Sequence, residues 1–114
     1  MKTSSGVVLL MLALGGTAYA ESAPQTASLA TLKGRFGFNW YNAASKEKCV
    51  RVDDKLLKEF QKNYQCDLEE KSNSASGKPQ VACTRKDDSK QYVIFKTKAL
   101  CEEERETQMA NSED

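Results

Sequence analysis

The 114-residue sequence predicts a small α+β domain. The expectation is an antiparallel sheet of about four strands with two helices, in the order β-α-β-β-β-α, stapled by two disulfides. Three observations carry it. Four cysteines stand in a short chain that opens with an export signal. Short runs rich in β-formers are separated by turn residues. Two segments of helical spacing, each opened by a capping residue, interrupt those runs.

The export signal comes first. Lys2 supplies a positive start, Gly6 to Gly16 form an apolar run, and Ala18-Tyr19-Ala20 matches the small-residue cleavage pattern of a secretory signal peptide. The apolar run is much shorter than the roughly 20 residues a membrane span needs. Residues 1–20 are therefore expected to be removed, leaving a chain from Glu21 with no membrane span. That places the protein in the periplasm or outside the cell.

Residues 21–32 are rich in Ser, Thr and Ala and read as a flexible N-terminal tail. A single domain is expected over 33–110, with 111–114 a disordered C-terminus. The first strand is Arg35 to Tyr41, where Phe36, Phe38 and Trp40 alternate and place three rings on one face. Such a row is expected to be core; a sugar-stacking platform is the other use of it. Cys49 to Val52 make a short extended approach. Asp53 then caps a helix in which Leu56, Leu57, Phe60 and Tyr64 recur on one side.

Tyr64 to Leu68 read as the second strand, and Glu69 to Pro79 as a long polar connection. Val81 to Arg85 and Tyr92 to Phe95 are the third and fourth strands, joined by a hairpin turn at Lys86 to Lys90. Thr97 opens the last helix, which runs to Met109. Its apolar face is poor beyond Leu100 and Cys101, so a disulfide at Cys101 is expected to anchor it.

Cys49, Cys66, Cys83 and Cys101 are evenly spread, without the close C-x-x-C pairs of zinc or redox sites. In an exported chain they read as two disulfides. The element order favours Cys49–Cys101 with Cys66–Cys83. Pairing Cys49 with Cys66 would have to span the first helix, a length of roughly 15 Å at 1.5 Å per residue.

The chemistry is sparse. The chain has no histidine, which removes the commonest general base and metal ligand. No metal ligand set, glycine-rich phosphate loop or cofactor motif is present, and no catalytic residue is assigned. Asp53-Asp54 and Asp87-Asp88 sit where a cap and a turn use aspartate. Seventeen Lys and Arg face 16 Asp and Glu, and loss of Lys2 with the signal peptide balances them. A balanced chain without a basic stretch is not expected to bind nucleic acid.

The composition therefore points to an exported, non-enzymatic binding module whose partner is another protein. An inhibitor of a cell-wall hydrolase or protease is the alternative, and an enzyme using facing carboxylates is a more distant one. Two candidate surfaces stand out. One is the connection carrying Ser74, Ser76, Gly77 and Lys78; the other is the acidic helix face carrying Glu102, Glu103 and Glu106.

Overall fold

The computed structural model describes residues 28–112. The expected signal peptide, the tail up to residue 27, and Glu113 and Asp114 lie outside the described residues. The elements are β1 (Phe36–Asn39), β2 (Val50–Arg51), α1 (Asp54–Asn63), β3 (Tyr64–Lys71), β4 (Gln80–Arg85), β5 (Gln91–Phe95) and α2 (Lys98–Ser112). Short 3-10 turns lie at Ala30–Leu32 and Ala44–Lys46. The five strands form one antiparallel sheet in the order β2-β1-β5-β4-β3. The expected α+β domain is thus present with one strand more than anticipated. The approach after Cys49 pairs with β1, setting Arg51 opposite Phe36 and Val50 opposite Gly37.

The sheet sits between its two helices. On one face, Leu57 and Phe60 of α1 pack on Tyr64, Val81, Cys83 and Ile94. Leu29 and Leu32 join that core, so residues 28–32 belong to the folded body rather than to a free tail. Their apolar spacing is hidden in a Ser/Thr/Ala-rich stretch. On the other face, α2 covers Phe38, Val93 and Phe95. It packs along β1, β5 and the Ala44–Lys46 turn. None of the helices among the described residues is long and apolar enough to cross a membrane.

Local chemistry explains the boundaries. The Asp53 side chain accepts from Leu56 N at 2.9 Å, capping α1 as expected. Thr97 Oγ1 accepts from Leu100 N at 3.1 Å and opens α2. At the β4–β5 turn, Asp87 accepts from the Ser89 hydroxyl and backbone N–H at 2.6 and 3.0 Å. Those two bonds hold its carboxyl below the usual range, with Arg85 adding to the effect. Asp53 and Asp87 are thus occupied with a cap and a turn.

Gly37 is required where β1 passes β5. A Cβ there would stand 2.6 Å from the Val93 carbonyl oxygen, which is backbone and cannot move aside. Gly37→Ala is expected to cost about 1–3 kcal/mol through overpacking, read as a lower urea midpoint with an unchanged slope. A midpoint equal to wild type would contradict the packing described.

Both disulfides join the expected partners, Cys49 with Cys101 and Cys66 with Cys83. Cys66 and Cys83 face each other across β3 and β4. Cys49–Cys101 ties α2 to the segment before β2. This matters because Cys101 and Glu104 are the only fully buried residues of the helix. The Arg105 guanidinium adds a second tie, donating to the carbonyls of Ala44 and Glu47 at 3.2 and 3.3 Å.

Candidate functional site

The connection between β3 and β4 is shorter and better held than its composition suggests. Glu69 to Lys71 continue β3, leaving 72–79 as the connecting segment. Ser74 Oγ donates to the Lys78 carbonyl at 2.8 Å, and Gly77 N donates to the Ser74 carbonyl at 3.1 Å. Gly77 has φ +77°, which glycine adopts without strain.

The turn is docked on α2 through Glu104, which is 2% exposed. Its carboxylate accepts from Ser76 N at 2.8 Å, Ala75 N at 3.1 Å and Gln108 Nε2 at 2.7 Å. Burial alone would raise this carboxyl. The bonds from Gln108, Ser76 and Ala75 outweigh burial and hold it below the ordinary glutamate range. Beside it, Lys78 Nζ reaches both Glu103 oxygens at 3.1 Å.

The two candidate surfaces are therefore neighbours. The structure brings Lys78 against Glu103 and Ser76 against Glu104, while the Ser74 and Ser76 hydroxyls are engaged within the turn. Gly77 shapes the turn. Glu102 pairs with Arg105 at 3.0 Å. Glu106 is exposed and joins none of the ion pairs among the described residues.

Docking the turn on α2 creates a cleft. The helix covers one half of its sheet face, and the turn closes one end of the other half. The result is a cavity of about 580 Å³. Ala82, Val93 and Gln80 lie along the sheet, and Asp67, Glu69 and Lys71 line the β3 side. Glu104, Gln108 and Asn111 form the helix wall; Asn73, Ser74 and Ala75 form the end.

Trp40 stands at the rim. It shares a face with Phe36 and Phe38 as the alternation predicts, but it is 43% exposed and is not core. β1 ends at Asn39, whose Oδ1 accepts from Gln91 N at 3.1 Å and Tyr41 N at 3.2 Å, turning the chain outward. Trp40 Nε1–H donates to Gln91 Oε1, and Gln91 Nε2 donates to Thr84 Oγ1 at 2.6 Å. The indole is held in place by this chain. Tyr41, also exposed, stands edge-on to it with ring centroids 5.5 Å apart.

The ionisable groups that line the cleft are mostly acidic. Asp67 and Lys71 form an ion pair at 2.9 Å, which with the Glu69 N–H lowers the Asp67 carboxyl. The same bond raises Lys71. Glu69 and Glu104 leave the lining net negative. Gln80 Nε2 donates to Asn73 Oδ1 at 3.4 Å, while Gln80 Oε1 is buried with no hydrogen-bond partner among the described residues. An unmet buried acceptor costs about 1–3 kcal/mol.

Sequence reasoning missed the cleft and its anchor. Glu104 had a signal: it lies three residues after Cys101, so a disulfide that turns Cys101 inward turns Glu104 inward too. Trp40 had one too, the aromatic alternation whose other use is a stacking platform, but the amides had none, because they converge from the 72–79 turn, β4, β5 and α2. Among the described residues no group of three or more His, Cys, Asp or Glu is arranged to hold a metal ion. No protein-family model matches the chain, and no curated protein or solved structure matches it either.

Proposed function

We propose that this chain is an exported, non-enzymatic binding module whose ligand seats in the cleft between α2, the 72–79 turn and the open half of the sheet. The observation that carries the reading is the 580 Å³ cleft itself, with the chain's single tryptophan fixed at its rim. A concave site with a few convergent polar groups and an aromatic is the ordinary form of a ligand pocket. The signal segment and the two disulfides, which fit an oxidising compartment, support export to the periplasm or medium.

A general acid is helped by a raised pKa, whereas Asp67 and Glu104 are both lowered by the bonds they accept, which counts against that one role for them. The expected protein-binding groups of the turn are engaged internally, which favours the cleft over the turn's tip. The reading is tested with the oxidised domain immobilised against periplasmic extract or culture medium, beside an Ala82→Phe variant that fills the cleft. Intact mass and near-UV dichroism establish that both are folded. Saturable retention by wild type alone is the expected result. Equal retention by both would place the site elsewhere.

A further inference from the structure

We infer that the cleft takes a neutral oligosaccharide, a segment of about two or three rings given a cavity within the usual ligand-pocket range. The inference rests on the cleft being the ligand site and adds the class of ligand.

Its chemistry is that of polyol recognition. The side-chain amides of Asn73, Gln80, Gln91 and Gln108 line the site; each already makes an internal hydrogen bond, and an amide keeps a second N–H or a second lone pair beyond it. A sugar hydroxyl is likewise donor and acceptor at once, so rows of amides and hydroxyls can pair throughout. At the rim, the Gln91–Thr84 chain holds the indole of Trp40 as a rigid apolar surface for the C–H face of a ring. The lining carries Asp67, Glu69 and Glu104 against Lys71 alone, which disfavours uronic acids, sulfated sugars and phosphates.

An extended peptide is the competing occupant, and the sheet is poorly made for it. A peptide would add to the outer edge of β3. There the ladder is irregular between Asp67 and Lys71, and the edge carries Glu69, Glu70 and Lys71. Charges and bulges of this kind discourage strand addition.

The test uses the full oxidised domain and its single tryptophan. Nitrogen-15 spectra and Trp40 emission are followed during titration with chitotriose, cellotriose and maltotriose, each up to about ten millimolar. An oligogalacturonide and an uncharged tetrapeptide are titrated in parallel. The expected result is saturable shifts at the Trp40 indole N–H and the Gln80 and Gln91 side-chain amides with at least one neutral sugar. Gln80→Leu should weaken that binding roughly three- to tenfold, the worth of one neutral hydrogen bond. Trp40→Ala should weaken it more, with intact mass and backbone shifts elsewhere unchanged. Cleft shifts with the peptide and none with the neutral sugars would overturn the sugar inference while leaving the cleft as a binding site. Sugar-induced shifts clustered away from the cleft would overturn both. No response to any neutral sugar at these concentrations would overturn the sugar inference.

Discussion

Replacing Cys49 and Cys101 together by alanine is expected to remove about 4 kcal/mol of stability and to free α2 from the sheet. The figure follows from a closed loop of 52 residues, whose constraint on the unfolded chain is worth about that much. For a domain whose total stability is of order 5–15 kcal/mol, this is a large fraction. Its apolar hold is otherwise slight, since only Leu100 and Met109 add partly buried apolar contact, and the rest is the polar ties of Arg105 and Glu104. Replacing Cys66 and Cys83 should cost less, about 3 kcal/mol, because that loop spans 17 residues between strands already paired. Urea unfolding of the two variants measures the difference. Spectra of the first should also show the 72–79 turn released with its helix. A greater loss from the Cys66–Cys83 pair would contradict this division of roles.

Replacing Glu104 by alanine is expected to cost about 2–4 kcal/mol, the range for losing charge-assisted hydrogen bonds at a buried position. It leaves Ala75 N, Ser76 N and the Gln108 amide without their acceptor. The carboxyl titrates below its ordinary value in the folded state, so its contribution is complete above the unfolded pKa of about 4.3. It fades as pH falls through the lower folded value. Wild type should therefore lose stability between pH 5 and pH 3 more steeply than Glu104→Gln, measured as urea midpoints. Parallel acid losses in the two proteins would show that the charge on Glu104 does not hold the turn.

Much of the fold was legible in the sequence because local rules governed it. Asp53 and Thr97 announced their helices, and the cysteine positions together with the element order were enough to favour the observed pairing. Where local rules gave out, coverage decided. Alternation placed Phe36, Phe38 and Trp40 on one face, but how far α2 extends over that face depends on packing between distant elements. Glu69 to Lys71 read as loop because an exposed edge strand needs no apolar residues on its solvated side. Leu29 and Leu32 read as tail because two leucines among small residues carry too little pattern. The cleft was the least legible feature. Its residues come from separate elements that meet only through the β4–β5–β1 register and the docking of a polar helix.

The cleft can hold a ligand as described only if the 72–79 turn is a fixed wall. Amide hydrogen exchange at Ala75 and Ser76 in the oxidised domain measures this. Both N–H groups should exchange roughly a hundredfold or more slower than in an unstructured peptide, and Glu104→Gln should release much of that protection. Exchange at the unstructured rate in wild type would mean that the turn is not docked, and the cleft proposed as the binding site would lose its end wall.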